Sequence, residues 1–131
     1  MLVYFWLGLG GALGTIARYW VNGVISRHFE TFPMGTVVIN ITGSFLIGFF
    51  ATMTAPDGRW LISPTFRTFF MTGICGGYTT FSSFSLQTLE LARAGEWLYA
   101  GANVVGSLVL CLAAVWLGST AAMGFKSPKG F

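Results

Sequence analysis

Between Thr72 and Ser85 the chain reads TGICGGYTTFSSFS, paired glycines followed by hydroxyls and two phenylalanines. Those types at that spacing suit the handling of a small anion without covalent chemistry. On a helix running from Tyr78, successive residues turn about 100°. Thr80, Ser83 and Gln87 then share one stripe, and Phe81, Phe84 and Thr88 share the stripe beside it. Aromatic rings are quadrupoles, negative on the face and positive at the edge. An anion is drawn to the edges of Phe81 and Phe84, while hydroxyl and amide donors alongside replace part of its water shell. Asn40, and Asn103 with Ser107 one turn later, offer further neutral donors. Packing is the competing reading: Phe supplies 13 of 131 residues, and an intramembrane amide often serves only to bond one helix to another.

The chemistry that is missing narrows the class. Glu90 and Arg67 stand towards the ends of the third apolar run, and no Asp, Glu or Lys lies near the middle of any run. An ion-coupled pump would want a carboxylate there. Neutral donors without a buried base point to passive passage of an anion. No phosphate-binding loop, nucleophile–base pair or carboxylate pair is present, so no enzyme is expected. His28 has no second ligand at metal spacing, and Cys75 and Cys111 read as buried packing residues rather than a disulfide. A net charge of +3, scattered along the chain, gives no reason to expect nucleic acid as a partner.

These residues must be positioned inside a membrane. The chain is 54% hydrophobic and 8% charged, where a soluble domain carries about a quarter charged residues. Four apolar runs follow: Leu2 to Val24, Met34 to Thr54, Thr65 to Ala92, and Trp97 to Met123. Each is long enough to cross a bilayer, and short polar linkers separate them. The expectation is an all-α integral membrane protein, with one four-helix transmembrane domain over 1–124 and a short, disordered tail over 125–131. Arg18 is the first positive charge and lies deep in the first run, so no cleavable signal is expected. The third run has 28 residues, roughly 42 Å as one helix against a core of about 30 Å. Paired glycines at mid-depth predict a break at Gly76–Gly77, whose freed backbone groups need protein, water or an ion as partners. The glycines could instead let a neighbouring helix approach closely.

Small residues recur at helical spacing, Gly10 and Gly14 with Arg18 one turn further on, then Asn40, Ser44 and Gly48. They support a compact oligomer. With four spans, one membrane face carries Arg59, Arg67, Lys126 and Lys129. The other carries Arg27 and Arg93, joined by Arg18 if it snorkels outward. That near-balance gives the insertion machinery little to read. Both orientations, paired as an antiparallel homodimer, become possible.

The chain resembles the fluoride channel family known as Fluc or CrcB. Gly10–Gly11, Gly14, Arg18 and Tyr19 are similar to its GGxxGxxxRY motif. Gly35–Thr36, Asn40, Gly43–Ser44–Phe45 and Gly48 resemble its GTxxxNxxGSFxxG block. GICGGYTTFSSFS, Gly73 to Ser85, is close to its GFCGGxTTFSTFS signature. Ser83 replaces the usual Thr, and Gln87 stands where many members have Glu. The resemblance implies an antiparallel, dual-topology homodimer with two fluoride pores along its interface. Phe81 and Phe84 would present ring edges to the ion, and Asn40 would shape the pore and orient those rings. Ser107 would supply a hydroxyl, with Thr80, Ser83 and Asn103 as further pore donors and Arg18 at a vestibule. A structural sodium ion at the dimer centre would be held by backbone carbonyls of Gly76 and Thr79 from each subunit. The implied setting is a prokaryotic plasma (inner) membrane, multi-pass, with lipid around the dimer and no other protein partner required. A small multidrug exporter would want a carboxylate in the first span, which is missing. A non-transporting interaction protein would leave the GGYTTFSSF track unexplained.

Overall fold

A computed structural model describes residues 1–125, and the tail beyond Phe125, Lys126–Phe131, lies outside the described residues. The described part is helical, without strands. Helix α1 runs Leu2–Ser26, α2 Met34–Met53, and α6 Trp97–Met123. Between α2 and α6 the chain is built from pieces: α3 (Pro64–Thr68), a π-helical stretch Phe69–Cys75, α4 (Gly76–Tyr78) and α5 (Phe81–Arg93). The predicted runs therefore match the helices to within a residue or two at each end. Helices α2 and α6 are long and apolar enough to cross a membrane, by length and composition.

The interrupted third run differs from expectation in where it breaks. Gly76 is helical, at φ −64° and ψ −38°, and the Gly76–Gly77 pair continues the turn rather than ending it. Extended backbone comes three residues later, at Thr79 (φ −83°, ψ 160°) and Thr80 (φ −152°, ψ 118°). The glycines serve close packing instead. A Cβ on Gly77 would stand 2.6 Å from the Gly11 carbonyl oxygen, and one on Gly14 would strike the Ile74 carbonyl. The π-helical stretch is wider than an α-turn, a local winding often found at functional sites.

Two tight pairings organise the rest. Helix α1 lies against the π-helical stretch and α4 through Gly10, Gly11, Gly14, Gly73 and Gly77. Helix α2 lies along α6, where Gly48 meets the Val115 backbone and Gly118 meets the Phe45 backbone. Thr52 and Ser119 close that seam with a 2.7 Å hydroxyl pair. Such contact between backbones is how helices associate where lipid removes the hydrophobic drive. At one end Phe50 stacks on Phe70, ring centroids 4.1 Å apart, and Arg67 Nε donates to the buried Thr54 hydroxyl at 3.1 Å.

Candidate functional site

Helix α5 has to begin abruptly, because Thr79 and Thr80 are extended. Thr80 is its N-cap, and the Thr80 side-chain oxygen accepts the Ser83 N–H at 3.1 Å. The sequence stripe through Thr80, Ser83 and Gln87 is therefore interrupted at its first member, whose hydroxyl caps the helix. An N-cap hydroxyl satisfies one of the first-turn amides and sharpens the start of the helix.

Thr80 itself lies outside any helix, and α2 holds it in place. Asn40 Nδ2 donates to Thr80 O at 3.0 Å, and Thr80 N–H donates to Asn40 Oδ1 at 2.8 Å. One side-chain amide thus completes both backbone groups of Thr80. Arg18 performs a related service from α1, its Nε donating to Gly77 O at 3.1 Å. The Arg18 side chain is half-buried and turned towards the break, rather than extended as a snorkelling anchor.

A cavity of about 350 Å³ opens beside this break. Asn40, Gly76, Thr79, Thr80, Phe81, Phe84 and Ser107 all line it, contributed by α2, α4, the break, α5 and α6. The two rings lie side by side, centroids 5.4 Å apart and planes inclined by 46°. Phe81 is 79% exposed on this single chain. The amino-terminal end of α5 adjoins the cavity at Phe81, and such ends carry partial positive charge. No Asp, Glu, Lys or Arg is among the lining residues. The arrangement offers a small anion ring edges, neutral dipoles and a helix terminus.

Two residues expected at the pore, and one expected at a vestibule, stand apart from the cavity. Ser83 sits in the first turn of α5 and gives its N–H to the cap. Asn103 is buried behind Ser107, accepting the Ser107 hydroxyl at Oδ1 and donating from Nδ2 to Thr88. Arg18 lies on the α1 side of the break. Spacing did not single out Gly43, Cys75, Cys111, Leu108 and Leu112, which also line the cavity. The block running from Gly35 to Gly48 was the available signal for Gly43, where a Cβ would collide with the Thr79 methyl. Thr42 and Tyr78 were also missed, and their hydroxyls meet at 3.0 Å.

Among the described residues no group of three or more His, Cys, Asp or Glu could hold a metal ion. Neutral oxygens, backbone carbonyls among them, are the donors present beside the break. Gly76 O is one of them. The Thr79 N–H goes to Cys75 O at 3.0 Å and the Thr80 N–H to Asn40, so neither closes a turn onto Gly76 O. Carbonyl oxygen is a hard donor, suited to a hard cation. The residues present therefore fit the sodium site that the resemblance implies.

Curated relatives cover nearly the whole chain. A protein of Opitutus terrae named "Fluoride-specific ion channel FluC" is 61% identical over 131 residues, covering 99% of each chain. Proteins of the same name from Paramagnetospirillum magneticum and Rhodospirillum rubrum are 59% and 57% identical over 123 residues. They cover 93% of this chain and at least 95% of their own. These names describe ion channels, not enzymes. Residues 5–119 match the family described as "CrcB-like protein, Camphor Resistance (CrcB)", and with that extent of match the chain belongs to the CrcB family.

Proposed function

We propose that the protein is a fluoride-specific ion channel that passively exports fluoride from the cytoplasm across a prokaryotic inner membrane. The observation that carries the reading is the meeting of Phe81, Phe84, Asn40 and Ser107 around one cavity free of charged side chains. Each chain crosses the membrane four times, its third span broken at Thr79–Thr80. The working unit is an antiparallel homodimer with two pores. The exposed Phe81 ring supports that arrangement, since a second copy would cover it and close the open side of the cavity. The sodium ion is structural, held at the dimer centre by Gly76 and Thr79 carbonyls from both subunits. It neutralises dipoles that the break leaves without amide partners.

The physiology follows from acid–base chemistry. Neutral HF crosses lipid, dissociates at cytoplasmic pH and is trapped as the anion. A channel lets the negative potential expel it, worth about 2.3 kcal/mol per charge per 100 mV. No nucleotide or redox cofactor is required. Efflux from liposomes loaded in turn with fluoride, chloride and a cationic drug tests the reading. Fluoride efflux alone is expected. Passage of the drug cation, or no flux of any ion from folded protein, would overturn it.

A further inference from the structure

A hydrogen-bond chain joins two cavity residues through two that do not touch the cavity. Thr88 Oγ1 lies 2.7 Å from Phe84 O, one turn back on α5. A carbonyl can only accept, so the single Thr88 hydroxyl proton is committed to that bond. Thr88 Oγ1 must then accept from its other neighbour, and Asn103 Nδ2 donates to it at 2.9 Å. With its NH₂ turned to Thr88, Asn103 presents Oδ1 to Ser107, whose hydroxyl donates at 3.3 Å. The amide orientation is fixed by the Phe84 carbonyl and not by a choice between similar-looking oxygen and nitrogen. Asn103 is 1% exposed, so water does not compete for it.

Ser107 therefore lines the cavity with its proton pointing away from it. An arriving anion meets oxygen lone pairs there unless the chain reverses. Rotating the Ser107 hydroxyl alone would leave Asn103 Oδ1 buried without a donor, a costly state. Turning the Asn103 amide over avoids this: Nδ2 then donates to Ser107, and Thr88 donates to Oδ1 in place of Phe84 O. We infer that Asn103 and Thr88 are positioning residues that set the hydrogen-bond direction of Ser107 and tie it to the Phe84 backbone. Ser107 becomes a donor to the anion only while Thr88 releases the Phe84 carbonyl. The inference rests on the fluoride-channel reading and names what regulates one of its donors.

A flux cycle in liposomes tests it. Thr88→Val removes the hydroxyl at nearly constant volume and leaves one end of the buried Asn103 amide unpaired whichever way it stands, so the chain no longer sets the direction of Ser107. With that control lost, fluoride flux is expected to fall about fivefold or more. In a Ser107→Ala background there is no hydroxyl to direct, and Thr88→Val should change flux by less than about twofold. Thr88→Ser keeps the hydroxyl and should restore the flux that Thr88→Val loses. Wild-type flux in Thr88→Val, or an equal loss in both backgrounds, rejects the relay. Should Thr88→Val change its elution on size-exclusion chromatography, Thr88→Ala is read in the same cycle. Unaltered protein in the same liposomes separates the two claims: no fluoride flux there rejects the channel, whereas normal flux with an additive cycle rejects only the relay.

Discussion

Asn40 stands at the point where backbone geometry and anion chemistry meet. Its amide donates one hydrogen to Thr80 O and accepts another from Thr80 N–H. An aspartate could still accept the Thr80 N–H, but its second oxygen would oppose Thr80 O lone pair to lone pair. It would also place a negative charge on the cavity wall. Asn40→Asp is expected to lower fluoride flux at least about tenfold, while Asn40→Gln, with its longer reach, tests whether position or charge matters more. Phe81 and Phe84 make a separate claim on the rings. Ile keeps much of the apolar volume and removes the quadrupole, so packing alone should lose only about 1 to 3 kcal/mol. Liposomes holding a dimeric Phe81→Ile, Phe84→Ile protein should release little fluoride. Normal release would return both rings to a packing role. The residue types were legible in the sequence because ring edges and neutral donors have distinct chemistry. Their partners were not. Nothing in the spacing says that Asn103 faces Thr88 or that the Thr80 hydroxyl caps its own helix, since both depend on where α5 starts.

That starting point is decided at the scale of elements. The glycine pattern of α1 was readable as a close-packing stripe, and Gly10 and Gly14 do press against the third run. The same reasoning misplaced the break, because paired glycines permit a turn as readily as they end one. What ends the helix is Asn40, whose Oδ1 takes the Thr80 N–H that would otherwise turn back to Gly76 O, and Asn40 lies 40 residues away in sequence. The π-winding of Phe69–Cys75 was equally hidden, because an i+5 register leaves no mark on composition. A paired substitution within α1 checks the packing account. Gly14→Ala must push backbone against backbone at Ile74 and Tyr78, whereas a Cβ on Gly8 meets nothing within 4 Å. Denaturation in detergent should put Gly14→Ala about 1 to 3 kcal/mol below the parent. Gly8→Ala should match the parent or gain slightly, since Ala favours the helix. Equal stability of the two variants would remove α1 from the support of the break.

At the scale of the whole molecule, the proposed function asks for a second copy of the chain. Phe81 is largely uncovered on this single chain, and the Thr80 N–H goes to Asn40 rather than to Gly76 O. In the proposed antiparallel pair, the second copy covers the ring and adds its own carbonyls around sodium. Two measurements separate those ideas. Protein stripped of sodium should lose fluoride flux and regain it on sodium addition, with lithium and potassium poorer substitutes. Flux that persists after stripping would dismiss the ion and leave the pore reading intact. Orientation is the harder test. In a four-span chain Arg59, Arg67, Lys126 and Lys129 fall on one side of the membrane and Arg27 and Arg93 on the other, with Arg18 turned in towards the break. Because positive charge near span ends sets direction, two or three lysines added after Phe131 should force a single orientation. A population of one orientation cannot form antiparallel pairs, so cells making only that variant should accumulate fluoride. Adding a copy biased the opposite way should rescue them, because each orientation then finds its complement. Full fluoride resistance from the singly biased chain would exclude the antiparallel dimer, since no inverted subunit would remain to complete the cavity.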